Sequence, residues 1–219
     1  MGERIRLRFS KTGKAKYISH LDLMSVMRRA LMRAGIDLKY SEGYNPHPYM
    51  SAALPLPVGC GSICELLDFE AASALVPGSL PEIINAKMPE GIRVLDAYTS
   101  VRKFSGIAWL DIEGAMYYDN GIPQDAAKRL TGRFMAESIV ISKKTKSGVS
   151  DIDIAPLVRD AVVTGGGDVT FRAKVSAQNP TITPDNLMSA LDGVYSALKP
   201  DFALFTRIET YDANMDIFR

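Results

Sequence analysis

The feature that most constrains the fold is a strict alternation of arginine with large apolar residues at the start of the chain. The segment Arg4–Phe9 reads Arg-Ile-Arg-Leu-Arg-Phe. Successive side chains of a β-strand point to opposite faces, so a period of two puts all three arginines on one face. The pattern predicts a half-buried strand whose other face carries only apolar side chains and packs on a core.

A helix is predicted directly after this strand, and its pattern is the clearest in the chain. Ser19 is a good N-cap, Asp22 follows three residues later in a position like that of a capping box, and Gly35 provides the stop. Apolar residues recur at helical spacing between these ends. The opposite face carries Arg29 and Arg33, which are one turn apart.

The rest of the first half is predicted to contain three more strands and one more helix. Strands are expected at residues 36–40, 63–69 and 92–100, a short helix at 80–88, and a loop rich in Gly, Asn and Pro at 41–48. The order β-α-β-β-α-β is that of a ferredoxin-like fold. The sequence therefore predicts an α+β N-terminal domain over residues 1–104.

The second half has a similar but weaker pattern. Strands are expected at residues 109–118, 138–143, 169–175 and 202–211, helices at 123–134 and 183–191, a further alternating segment at 151–155, and a tight turn at 165–167. This arrangement predicts a second, similar α+β domain over residues 105–219. A single mixed α+β domain stays open as an alternative, because the two halves share no repeated sequence.

Charge is distributed very unevenly along the chain. The net charge of the whole protein is +1, but residues 1–50 hold ten Lys or Arg against four Asp or Glu, and residues 51–100 hold two against six. A local basic surface attracts phosphate or another acidic partner whatever the total charge. The alternative is that this surface faces an acidic neighbour, including the next segment of the same chain.

The chain has two histidines, both in the first half, and we take them as candidate catalytic residues. His20 follows the helix cap, and His47 lies between two prolines that restrict its backbone. Candidate substrate-binding residues are the basic, aromatic and polar side chains in the same segments: Arg4, Arg6, Arg8, Tyr17, Asp22, Arg29, Arg33, Glu42, Tyr44 and Asn45.

Several classes of protein and site do not fit the sequence. Cys60 and Cys64 have no further ligands nearby, so they are expected to be small buried fillers, and no metal or other cofactor is predicted. No Walker loop or dinucleotide fingerprint is present, and no three-cysteine motif for a radical-SAM cluster. The first 20 residues have no apolar signal region, and no apolar run is long enough to span a membrane, so a cytoplasmic location is expected.

Four ordered motifs resemble one known family. They are Tyr-Ile-Ser-His-Leu-Asp-Leu-Met at 17–24, Arg-Arg-Ala at 28–30, Ser-Glu-Gly-Tyr-Asn-Pro-His-Pro at 41–48 and Pro-Leu-Pro-Val-Gly at 55–59, followed by Glu-Leu-Leu-Asp at 65–68. They are similar to those of the radical-SAM-linked domain family of unknown function, most strongly over residues 4–70. The resemblance implies a radical-SAM partner with a cobalamin-binding-like domain. It marks His20, Asn45 and His47 as motif positions without giving their roles.

Two functions follow as hypotheses. The first is an accessory protein that binds a substrate, with RNA as the candidate, for a radical-SAM partner. The alternative is a small metal-independent ribonuclease or phosphate-acting enzyme that uses His20 and His47 as acid and base, which requires both histidines to reach one cleft. A structural subunit that docks an acidic protein is a third possibility.

Overall fold

The computed structural model describes residues 4–145, 148–165 and 168–219. By its internal contacts the chain divides into two compact units: unit 1 ends at Gly106 and includes Arg219, and unit 2 spans Ile107–Phe218. Each unit combines an antiparallel sheet with helices, which confirms the α+β class. The assignment of two domains, 1–104 and 105–219, stays a prediction, because a domain is defined by its capacity to fold alone.

Unit 1 has the predicted order of elements. These are β1 (Arg4–Lys11), α1 (His20–Arg33), β2 (Met50–Ala52), β3 (Gly61–Glu70), α2 (Leu80–Asn85) and β4 (Ile92–Thr99), with a 3₁₀ turn at Gly13–Tyr17. Its strands lie in the order β4-β1-β3-β2, and each is antiparallel to its neighbours. The ferredoxin-like assignment itself stays a prediction.

The second strand is not where the sequence predicted it. Residues 36–40 form only isolated bridges, from Leu38 to Ala71 and from Tyr40 to Pro48. The loop at 41–48 turns the chain back on itself, and the edge of β3 is then occupied by β2, with Met50 opposite Phe69. The prediction of a strand at 36–40 is therefore wrong. The edge of β3, with which this strand would have to pair, is occupied by β2, which follows the loop.

The core of unit 1 follows from the alternation that opens the chain. Ile5, Leu7 and Phe9 are all buried on one face of β1, and they pack in one cluster with Leu23 and Met27 of α1. Burial of each such side chain contributes about 1.5–3 kcal/mol. The helices therefore cover the apolar face of the sheet, and the arginines of β1 lie on the other face.

Unit 2 repeats the strand order of unit 1 with a hairpin inserted. Its elements are β5 (Trp109–Tyr117), α3 (Ala126–Phe134), β6 (Val140–Thr145), β7 (Gly148–Asp153), β8 (Val158–Thr164), β9 (Val169–Ser176), α4 (Pro184–Ser189) and β10 (Phe202–Tyr211). The sheet order is β10-β5-β9-β8, and β6 pairs with β7 as a separate hairpin. The turn predicted at 165–167 lies partly outside the described residues. No helix in the described residues is both long and apolar enough to cross a membrane.

Candidate functional site

Arg6, a predicted substrate contact, lies in the interior of unit 1. Its side chain is 0% exposed, and Nε and Nη2 donate to Asp68 Oδ1 at 2.7 Å and Oδ2 at 2.9 Å. Nη2 also donates to the Arg102 carbonyl, and the Phe104 ring centroid lies 4.4 Å from the guanidinium carbon. Arg8 on the same face is half-buried. Arg6 is thus a structural residue, and a role in contacting substrate does not fit its burial.

Arg4 and His47 lie together, at the edge of the sheet where β3 ends. Both line a pocket of about 220 Å³, which Glu70 also lines. Arg4 and Lys39 both pair with Glu70, at 3.5 and 3.0 Å. The hydrogen bond from Lys39 lowers the pKa of Glu70, and burial opposes this shift only in part. Asp68 also lines the pocket, so its described lining holds one arginine against two carboxylates and has no excess of positive charge.

The loop that carries His47 is held by Ser41. The His47 backbone N–H donates to Ser41 Oγ at 3.1 Å, and His47 Nδ1 lies 3.1 Å from the same oxygen. The predicted binding residues Glu42, Tyr44 and Asn45 lie on the same loop and are all exposed, and the Tyr44 side chain has full solvent exposure. The loop therefore presents an aromatic ring and a histidine outward.

His20 begins α1, where the local structure is fixed by capping. Ser19 Oγ accepts a hydrogen bond from the Asp22 backbone N–H at 3.1 Å, which confirms the predicted N-cap. The preceding turn is held by Lys11, whose buried ammonium donates to the Ile18 carbonyl at 2.9 Å. Burial lowers the pKa of Lys11, although nearby acidic groups oppose the shift. Half-buried His20 thus sits on a rigid helix start.

The structure does not bring His20 and His47 into one cleft. His20 is at the first turn of α1, which has 14 residues and is therefore roughly 20 Å long. The loop of His47 follows the other end of this helix, beyond the bridge between Leu38 and Ala71 at the end of β3. An acid and a base must both lie within hydrogen-bond reach of the reacting groups, directly or through one water. The geometry contradicts their proposed use as an acid–base pair.

A basic groove lies between α1 and the segment after α2. Its volume is about 400 Å³, its cations are Arg29, Arg33 and Lys87, and none of the described residues that line it is acidic. The remaining lining is apolar and is contributed by Val26, Ala30, Met88 and Pro89. We use the name basic groove for this set of seven residues. Its two arginines were predicted as binding residues from the sequence.

The three cations of the basic groove are available to a ligand. All three side chains are exposed, and within the described part of the chain none of them forms an ion pair. Arg29 and Arg33 are four residues apart on one helix, a spacing at which like charges cost about 0.2–0.5 kcal/mol. A bound anion would remove this repulsion. The groove therefore has the charge and the space to hold a phosphate-bearing ligand.

Cys60 and Cys64 are thiols at the start of β3. Both thiols are buried, and the described residues include no group of three His, Cys, Asp or Glu side chains placed to hold a metal ion. Ser62 Oγ lies 3.7 Å from the Cys64 sulfur and accepts a hydrogen bond from the Cys64 backbone N–H at 3.2 Å. These contacts fit a structural role for this segment.

Comparison with known proteins identifies the family. A family model described as an uncharacterized protein conserved in bacteria (DUF2344) matches residues 4–184. The chain belongs to this family. No curated protein matches this DUF2344 protein.

One solved structure similar to the DUF2344 protein is a chain from the crystal structure of a Cbf5–Nop10–Gar1 complex. The TM-score is 0.52 at 11% identity, and the match covers 94% of our chain and 48% of that chain. The DUF2344 protein thus spans about half the length of that chain. At this identity the similarity shows the fold alone.

Sequence reasoning missed Lys87, Met88 and Pro89, which complete the basic groove. Lys87 follows α2 and is far from Arg29 in sequence, so no local pattern joins them. It also missed Asp68 as the partner of Arg6. A signal for that pair was present, because Asp68 lies in the acidic strand that pairs with β1.

Proposed function

We propose that this protein is an accessory protein that binds RNA for a radical-SAM partner. The basic groove carries the RNA part of the proposal, because it gathers three unpaired cations with no acidic lining residue within the described structure. The partner is suggested by the resemblance of residues 4–70 to the radical-SAM-linked domain family. The proposed location is the cytoplasm, where buried thiols such as those of Cys60 and Cys64 stay reduced.

The chemistry of the exposed residues suits contacts to phosphate better than readout of bases. Arg29 and Arg33 have guanidinium forks that match phosphate oxygens in a bidentate manner. Such contacts position a nucleic acid and carry no sequence information. Tyr17 and Tyr44, which are 57% and 107% exposed, offer faces on which unpaired bases can stack. We therefore expect single-stranded RNA to be bound with little sequence preference.

Charge reversal tests the RNA part of the proposal. The double variant Arg29→Glu/Arg33→Glu should weaken binding of a single-stranded RNA at least tenfold, measured by filter binding at low salt. The matched control is Lys128→Glu/Arg129→Glu on α3, which reverses two exposed charges in unit 2. Equal loss in both variants would show that only total charge matters. No binding by the wild-type protein at low salt would refute RNA binding.

The partner is tested separately by co-purification. The tagged DUF2344 protein should retain a radical-SAM protein with a cobalamin-binding-like domain when both are produced together. Tyr44→Ala, in the exposed loop of unit 1, should weaken the contact if this loop takes part in it, and Tyr117→Ala, an exposed aromatic residue of unit 2, serves as the control. If the tagged protein instead retains only an acidic protein of another kind, the radical-SAM part of the proposal is wrong.

A further inference from the structure

The basic groove is one open depression in the surface of unit 1, and this shape distinguishes it from a long basic stripe that follows a nucleic-acid backbone. Its volume of about 400 Å³ falls in the range of about 300–1,000 Å³ that is usual for small-ligand pockets. Arg29 and Arg33 reach it from α1, and Lys87 reaches it from the segment after α2. Cations from two elements therefore converge on one site.

The charge of the groove matches a phosphate monoester better than a phosphodiester. An internal phosphodiester carries one negative charge, whereas a monoester carries about 1.5 to 2 at pH 7 and has three strong acceptor oxygens. Two guanidinium forks and one ammonium can donate to all three of these oxygens. The three cations therefore have enough donors to surround one terminal phosphate.

The apolar lining of the groove suits the nucleoside that would carry this phosphate. Val26 and Met88 are half-buried, and Pro89 is exposed beside Met88. Methionine is flexible and polarisable and makes favourable contacts with aromatic rings. A base or ribose can therefore pack on these residues while its phosphate is held by the cations.

We propose that the basic groove binds the terminal phosphate monoester of an RNA chain and packs its terminal nucleoside against Val26, Met88 and Pro89. This inference rests on the proposed RNA binding and adds which part of the RNA is recognised. Free nucleoside monophosphates share the same chemistry, so the test must separate the two sources.

The test compares three RNA oligonucleotides of one sequence by isothermal titration calorimetry with the full-length protein. One has a 5′-phosphate, one has a 3′-phosphate, and one has hydroxyls at both ends. One of the phosphorylated forms should bind at least tenfold more tightly than the hydroxyl form. Arg29→Gln/Arg33→Gln and, independently, Lys87→Gln should abolish this preference, and the control Lys128→Gln/Arg129→Gln should keep it.

The outcomes separate this inference from the proposed function. Equal binding of all three oligonucleotides overturns terminal recognition and leaves RNA binding standing. Binding of none overturns both. A nucleoside monophosphate that binds as tightly as the best oligonucleotide also overturns the assignment to an RNA end, because the groove would then be a site for the free nucleotide. Thermal unfolding of each variant checks that the lost preference does not come from misfolding.

Discussion

At the scale of single residues, the buried pair of Arg6 and Asp68 has the largest expected effect on stability. Both side chains are almost fully buried and are joined by two short hydrogen bonds. Removal of one partner leaves an uncompensated charge in the interior, which typically costs about 3–5 kcal/mol. Asp68→Ala should therefore lower the free energy of unfolding by about this amount in urea titrations.

The control for this prediction is the ion pair of Arg4, which lies two residues from Arg6 on β1. Arg4 pairs with Glu70 at 3.5 Å, and its side chain is 51% exposed. Exposed ion pairs contribute about 0–1 kcal/mol, so Arg4→Ala should change stability little. Similar losses for Asp68→Ala and Arg4→Ala would contradict the structural role of Arg6.

Glu70 should make stability depend on pH. Its pKa is lowered from the ordinary value of 4.5, mainly by the hydrogen bond from Lys39. Because the folded state binds this proton less readily than the unfolded state, the contribution of Glu70 is present above pH 4.5 and is lost as pH falls through the folded pKa. The stability difference between wild type and Glu70→Gln should therefore be largest at neutral pH and shrink on acidification. The exposed loop variant Glu42→Gln controls for the loss of one surface charge, and a difference that is constant with pH would refute this role.

At the scale of elements, Gly91 is required where β4 approaches the turn after β1. Its φ is +85°, and an added Cβ would lie 2.6 Å from the Thr12 carbonyl oxygen and 2.9 Å from the Ala15 Cβ. Gly35 after α1 also has a positive φ, +79°, but its Cβ would meet nothing within 4 Å. Gly35→Ala should cost only the backbone strain of about 1–2 kcal/mol. Gly91→Ala should cost about 1–3 kcal/mol more than Gly35→Ala, because its added Cβ overpacks the turn after β1. This difference should be measurable as a lower midpoint of thermal unfolding. Equal midpoints would contradict the close approach.

The same elements show how far the sequence could predict this fold. The N-cap of α1 was predictable because Ser19 and Asp22 are neighbours in the chain and their signal is local. The strand β8 was missed because a bulge interrupts its alternation: the register shifts between Arg159 and Val162, and Asp160 has a φ of +53°. The basic groove was predicted only in part, since the contribution of Lys87 depends on how α2 packs against α1.

At the scale of the whole molecule, a net charge of +1 gives little general attraction to nucleic acid. The excess of basic residues in 1–50 is offset by the acidic residues of 51–100. Some of these charges pair directly, as Arg6 does with Asp68 and Arg4 with Glu70. The cations that the proposal assigns to RNA are the three of the basic groove, which gives a definite expectation for the phosphate contacts.

This small number of cations gives a quantitative prediction for the salt dependence of RNA binding. Each phosphate charge neutralised on a single strand contributes about −0.7 to the slope of log K against log salt concentration. One terminal phosphate monoester, with about 1.5 to 2 charges, therefore predicts a slope of about −1 to −1.4, whereas three separate backbone phosphates would give about −2. Arg29→Gln/Arg33→Gln should bring the slope closer to zero, and Lys128→Gln/Arg129→Gln should leave it unchanged. Filter-binding titrations at several salt concentrations measure all three slopes. A wild-type slope several times steeper would mean that RNA contacts many cations outside the basic groove.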